Sequence, residues 1–394
     1  MKKFVAGLLC AVVWVFALSG CTQKLKDYYI YTNIQNSEFT VLAPNYRIEQ
    51  VIPADNSFSG GKAENTRGFT AKSKYFSSMN TDAVLTVYAD FSVSDAVQSY
   101  IDFTQAVTQT LTDIENSLSV TNGESSAQLF NRAEAGETVE VDKTFYEVLQ
   151  LAKQMYEFTD GYYNPAVYYS VSAYGFDIKE QPDKLPKDED IAKFTELYKE
   201  FENLEFTEDS LFDKYSVKKP EKTVEVDGVT YSLKVDLGGI GKGYATDIIN
   251  EMFQDYGFEY GLFNFGGSSL SLKKHYSKGD FTLELIEPRR NSTHYLSFNV
   301  HDICVSSSGD YVNYYTVNGV RYCHIIDPAT GKPVQTGIMS ATVAGGSAAE
   351  NDAITTAIMA MGRDRAISFI ESKLTDKYAV FTYDKFRSAE LAKP

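Results

Sequence analysis

The chain has 394 residues, 43% of them hydrophobic and 23% charged, which suits one large globular domain or two medium ones and excludes a disordered or fibrous chain. There are 53 acidic residues against 37 basic ones, a formal charge of −16. A surface so acidic repels phosphate backbones, which argues against nucleic acid as a partner and against lying on anionic lipid without a covalent anchor.

At the amino terminus Lys2 and Lys3 precede an apolar run from Phe4 to Ala17, too short for a membrane span, and then Leu18-Ser19-Gly20-Cys21. This resembles a bacterial lipobox. It predicts a signal peptide over residues 1–20 and lipid (diacylglycerol and palmitate) on Cys21, so the mature chain would be extracytoplasmic and anchored to a bacterial membrane. Residues 21–68 are polar and weakly patterned, and predict a tether with an irregular lead-in. The remainder, 69–394, is the predicted folded domain.

Ala83 to Tyr88 reads as a strand. Ser94 is the expected N-cap of a helix whose inward stripe is Val97, Ile101, Val107, Leu111, Ile114 and Leu118. A second helix is predicted from Asp142 to Asp160, with Val148, Leu151, Ala152, Met155 and Phe158 inward and Gly161 as its stop. Residues 178–222 are rich in charge and proline, and predict a surface insertion holding one amphipathic helix. Val224 to Val235 predicts a hairpin turning at Asp227-Gly228. The glycine run 238–243 then leads into a helix from Tyr244 to Tyr256 and a strand from Gly261 to Phe265. Further strands are predicted at 281–286, 294–300, 311–317 and 320–326, with helices starting near Ala349 and Arg363. The mixture predicts an α+β fold, a large and mostly antiparallel sheet with packed helices. Cys304 and Cys323 remain once Cys10 leaves with the leader and Cys21 is acylated, and two such thiols either pair or stay free.

Several segments could carry chemistry, each with a plainer alternative. Gly238-Gly239-Ile240-Gly241-Lys242-Gly243 is either a packing turn or a backbone cradle for phosphate, with Lys242 as countercharge. It fits neither the Walker loop nor the G-x-G-x-x-G spacing. Asp236, just before it, is either a solvated strand-end carboxylate or a ligand contact. Asp352 and Thr356 lie four apart on one helical face, and are either hard oxygen ligands for Mg²⁺ or a first helical turn with a dipole partner. His324 stands before the corner Asp327-Pro328-Ala329-Thr330-Gly331, where a neutral imidazole either accepts a proton or donates to a turn carbonyl. There is no Gly-x-Ser-x-Gly elbow and no His pair at zinc spacing.

Taken in order, these segments resemble the ApbE-type FAD:protein FMN transferases from about Phe69 to the C-terminus. The match is most specific at Val235–Tyr244, His324–Gly331 and Ala349–Thr356. It is softer at Met79-Asn80-Thr81, Leu118-Ser119 with Asn131, Asp160–Pro165, Asn264–Gly267 and Ser308–Tyr311. The resemblance implies FAD as substrate, bound by Met79, Thr121, Tyr162, Tyr163, Asn164, Asp236, Lys242 and Ile326. It implies Mg²⁺ held by Asp352, Thr356 and the carbonyl of Gly239 with Thr355 beside them, and His324 as base. Three positions depart from the family: Asn80 replaces a usual Gly, Asn164 a common Asp, and Thr121 a frequent aromatic residue. The implied reaction is Mg-dependent transfer of FMN from FAD to a Thr or Ser of an acceptor flavoprotein, releasing AMP. The rival expectations are an FAD pyrophosphatase, with water in place of the acceptor, and a flavin-binding lipoprotein without turnover.

Overall fold

The structure is a computed structural model that describes residues 28–33, 37–42, 51–53, 68–178, 181–289, 294–374 and 378–385. The predicted leader and Cys21 lie outside the described residues. Among the described residues no helix is long and apolar enough to cross a membrane.

The expected antiparallel sheet is present. Its nine strands run in the order Tyr28–Asn33, Ser37–Leu42, Ala379–Lys385, Ile338–Gly345, Ile303–Gly309, Ser269–Leu272, Gly261–Phe265, Thr81–Ala89 and Thr70–Ser78, and every neighbouring pair is antiparallel. Ile338–Gly345 is buried along its whole length. Such a strand shows none of the alternation that marks a half-exposed one, and neither it nor Ile303–Gly309 was among the predicted elements. The expected irregular lead-in is also different: Tyr28–Asn33 and Ser37–Leu42 extend this sheet, and Val51–Pro53 pairs with His294–Val300.

The helix Ser94–Leu118 follows Val93 as its N-cap, with no side-chain cap from Ser94. It buries Phe103, Val107, Leu111, Ile114 and Leu118, while Ile101 is 40% exposed. Ile101 sits two residues from Phe103, about 200° around the helix, so one stripe cannot hold both. The helix Lys143–Phe158 is capped by the Asp142 carboxylate, which accepts from the Phe145 N–H. Gly161, at φ +80°, closes it by donating to the Tyr156 carbonyl.

Residues 178–222 are more than a surface insertion. The helix Asp188–Tyr198 buries Ile191, Leu197 and Tyr198, and Glu205–Asp209 and Lys214–Lys218 join Thr138–Val141 in a three-stranded sheet. The predicted hairpin forms as Thr223–Val226 and Val229–Ser232, with Asp227 and Gly228 both at positive φ.

The largest departure concerns the glycine run. It is the first turn and a half of a helix, Gly238–Asp255, rather than a loop before one. Glycine disfavours a helix by about 1 kcal/mol per residue relative to alanine, so packing must decide. A Cβ on Gly243 would lie 2.4 Å from the Ala348 carbonyl oxygen, and one on Gly241 would lie 3.2 Å from Leu118 Cδ1. The glycines are what lets this helix press against Ala348–Met361 and Ser94–Leu118. Asp247 joins the first two covalently distant pieces by accepting from Ser347 Oγ and from the Ala348 and Ala349 N–H groups, at 2.7, 2.6 and 2.9 Å. It thereby satisfies the open donors of a helix start.

Gly243→Ala is expected to destabilise the fold by about 1–3 kcal/mol through overpacking. Denaturant unfolding at constant m-value checks this, and an unchanged midpoint would show that the crossing is looser than described.

Candidate active site

The crossing of Gly238–Asp255 and Ala348–Met361 places the residues singled out at both helix starts side by side. Asp352, 7% exposed, accepts from the Gly243 N–H at 2.7 Å through Oδ2 and from Ser269 Oγ at 2.6 Å through Oδ1. Burial raises its carboxyl to about 6, against the pull of Lys242 and these donors. Thr355 and Thr356 each donate to the Asp352 carbonyl, at 2.9 and 3.0 Å, and Ser308 Oγ lies 2.9 and 3.5 Å from their hydroxyls. Gly239 completes the group: a Cβ there would meet Thr356 Oγ1 at 3.9 Å and Tyr163 Cε2 at 3.4 Å.

Tyr163 packs beside Gly239. Its hydroxyl is buried and has no hydrogen-bond partner. Burial raises its pKa well above the usual phenol value, and the carboxylates of Asp236 and Asp352 raise it further. An unpaired phenol facing two carboxylates is a group that a further ligand would satisfy. Asp236 accepts from the Gly238 N–H at 2.8 Å, and burial raises its carboxyl too. Lys242 Nζ donates to the Gly238 carbonyl at 3.2 Å and is the cation that bears on Asp236, Asp352 and His324.

His324 is held by one carbonyl. Its N–H and its Nδ1 both lie within bonding distance of Asn313 O, at 3.0 and 3.3 Å. A carbonyl cannot donate, so Nδ1 carries the proton and Nε2 keeps its lone pair. Burial lowers the imidazole to about 4, with Lys242 adding to the effect. The ring is a neutral base at neutral pH.

The other predicted contacts separate. Met79 and Asn80 form a two-residue turn at φ +49° and +58°, and Met79 Sδ lies 3.9 Å from the Cβ position of Gly241. That left-handed turn explains why glycine suits position 80, and asparagine is a residue that tolerates it. Ile326 is buried on a two-residue strand that packs against Ala348–Met361. The hydroxyl of Tyr162 accepts from Arg365 Nη1 at 2.6 Å. Asn164 is committed to structure: Oδ1 caps the Ala166 N–H and Nδ2 donates to the Tyr198 carbonyl, both at 2.9 Å. Thr121 is exposed on the turn after Ser119, where its hydroxyl lies 3.2 Å from Ser119 Oγ. Cys304 and Cys323 are buried free thiols, raised by burial to about 12 and about 11.

Sequence reasoning passed over Asp247, Ser269, Ser308 as a threonine partner, and Asn313. Ser269 follows the Gly266-Gly267 turn and Ser308 opens the segment Ser308–Tyr311, so both adjoin stretches already marked by resemblance. Nothing local marks Asn313, because it contributes only backbone.

Residues 79–381 match the sequence model described as the ApbE family. The chain belongs to the ApbE family. Similar relatives include an FAD:protein FMN transferase of Vibrio cholerae, 27% identical over 275 residues, covering 66% of this chain and 74% of that one. One of Escherichia coli is 27% identical over 262 residues, covering 66% and 71%. Among solved structures, a mutant of the flavin transferase ApbE from Vibrio cholerae aligns with a TM-score of 0.64 at 24% identity, covering 79% of this chain and 93% of that one. The ApbE protein of Thermotoga maritima aligns with a TM-score of 0.64 at 22% identity, covering 82% and 100%. At these identities the two structures establish the shared ApbE fold.

Among the described residues no three His, Cys, Asp or Glu side chains cluster as a metal site. The oxygen groups around Asp352 are instead one carboxylate and the hydroxyls of Ser269, Ser308, Thr355 and Thr356. That is the chemistry of Mg²⁺, which takes few protein oxygens and completes its shell with water and phosphate. The unpaired Tyr163 hydroxyl and the space kept open by Gly239 fit such an occupant.

Two outcomes follow. Tyr163→Phe is expected to leave the ligand-free protein as stable or about 1 kcal/mol more stable, since an unsatisfied buried hydroxyl is removed; a clear drop in unfolding free energy would mean the hydroxyl has a partner. For His324 the folded pKa lies below the unfolded value, so its contribution to stability falls as pH drops from 6.5 toward about 4. Wild type should therefore lose more unfolding free energy across that interval than His324→Gln, and parallel pH curves would contradict the lowered pKa of this ring.

Proposed function

We propose that this protein transfers FMN from FAD to a Thr or Ser hydroxyl of an acceptor flavoprotein, releasing AMP, in a Mg²⁺-dependent reaction. Membership of the ApbE family and the relatives named FAD:protein FMN transferase support the reaction. What supports it in this chain is the contact of the two helix starts, where the Gly243 N–H meets Asp352 and Gly239 lies beside Thr356, with Lys242 the cation that bears on both Asp352 and His324.

Asp352, Thr356 and the Gly239 carbonyl would hold the ion, with Thr355 beside them. Mg²⁺ supplies charge neutralisation at the diphosphate and orients the leaving group. Lys242 adds a cation beside the same phosphates, which an acidic protein needs. Met79, Tyr162, Tyr163, Asp236 and Ile326 would line the flavin nucleotide, with Asn164 fixing the turn after Tyr163 by accepting from the Ala166 N–H. His324 Nε2 takes the proton from the acceptor hydroxyl. The hydroxyl oxygen bonds to the FMN phosphorus as the bond from that phosphorus to the bridging oxygen breaks, and AMP leaves with that oxygen. We further propose that lipid on Cys21 anchors the chain outside the cytoplasm, supported by the lipobox-like Leu18–Cys21.

The test is to incubate the protein with FAD, Mg²⁺ and a purified extracytoplasmic flavoprotein domain that presents Thr or Ser among small residues, then weigh the domain by mass spectrometry. A gain of one FMN is expected. FMN and AMP appearing free would indicate hydrolysis instead, and intact FAD would indicate binding alone. Asp352→Asn should abolish the gain, and His324→Ala should reduce kcat by about 10²–10⁴-fold with little change in FAD binding. Full activity in either variant would remove that residue from the mechanism.

A further inference from the structure

Asp310 follows directly on the strand Ile303–Gly309, whose Ser308 holds Thr355 and Thr356. Its carboxylate is gripped by both arms of Arg289, Nη1 to Oδ1 at 2.7 Å and Nη2 to Oδ2 at 2.5 Å. The two side chains are 35% and 15% exposed, so the fork is well shielded on the aspartate side. A bidentate guanidinium–carboxylate pair admits essentially one geometry, unlike a single-point lysine contact. The backbone of the same residue is tied twice more: its N–H donates to the Met339 carbonyl at 3.0 Å, and Arg321 Nη1 donates to its carbonyl at 3.2 Å. Arg321 is itself laid on the Tyr314 ring, 3.7 Å from the centroid. The turn that leaves Asp310 therefore starts from a fixed point and, three residues later, presents the Asn313 carbonyl that orients His324.

We propose that Arg289 and Asp310 are positioning residues that set the orientation and tautomer of His324 through the backbone of residues 310–313. This rests on the reading of His324 as the base. Among the described residues the imidazole Nδ1 has one acceptor, and it is a backbone atom whose place depends on the turn. A shift of about 1 Å in such a group can reduce turnover 10²-fold without any loss of substrate contacts. A pair serving merely to staple a surface turn would add little stability and would leave kcat alone.

The experiment measures AMP released from FAD with Mg²⁺ and the acceptor domain, using the full chain. It compares kcat and KM for FAD in wild type, Arg289→Gln, Asp310→Asn, His324→Ala and the double variant Arg289→Gln/His324→Ala. Arg289→Gln and Asp310→Asn should each lower kcat by about 10²-fold with KM unchanged. In the His324→Ala background, Arg289→Gln should cause no further loss. Arg289→Lys keeps the charge without the fork and should recover only part of the rate; it carries the same test should circular dichroism show Arg289→Gln unfolded. A loss that multiplies onto that of His324→Ala, or a rise in KM at constant kcat, would overturn the relay. A slowed His324→Ala beside an unimpaired Arg289→Gln would overturn the relay alone, whereas a His324→Ala at the wild-type rate would overturn the base assignment and the relay with it.

Discussion

The structure depends on the close crossing of two helices, Gly238–Asp255 and Ala348–Met361, at a point where one has no side chain. Gly243 lets the backbones meet at the Ala348 carbonyl, Asp247 caps the start of the second helix, and the Asp352 carboxylate takes the Gly243 N–H. A side chain at Gly243 would drive the backbones apart at the Ala348 carbonyl and strain the bond between the Gly243 N–H and Asp352. The helical disadvantage of the glycines is thus offset by tertiary contact.

Burial then sets the electrostatics. Asp352 is raised to about 6, Asp236 is raised, Tyr163 is raised well above the phenol range, and His324 is lowered to about 4. All four shifts disfavour charge, as expected of a dry pocket. Such surroundings keep the imidazole neutral at physiological pH and make ionisation of the Asp352 carboxyl costly. In a chain of charge −16, the proposed reaction would need Lys242 and a divalent ion to draw a diphosphate to this site.

Much of this was legible in the residues. The α+β class, the Asp227-Gly228 hairpin, the helix closed by Gly161 and the helix starting near Ala349 all stand where patterning put them. What failed did so for physical reasons. Glycine propensity argued for a loop at 238–243, because the partner helix that rewards those glycines begins at Ala348, far along the sequence. Ile338–Gly345 escaped because full burial erases alternation. Residues 178–222 looked like a charged surface because their buried positions, Ile191, Leu197, Tyr198 and Phe201, are spread among lysines and glutamates. The bond from Asn164 to the Tyr198 carbonyl escaped because it is long-range. The carbonyl of Asn313 lay beyond any reading of side chains.

The central claim is that the helix crossing makes one shared site for a divalent ion and a dinucleotide diphosphate. Calorimetric titration of FAD into the protein, with and without Mg²⁺, tests it most directly when repeated on Asp352→Asn. Tight FAD binding that needs Mg²⁺ in wild type, and loses that dependence in the variant, is the predicted result. Equal FAD affinity with and without Mg²⁺ in wild type would contradict it.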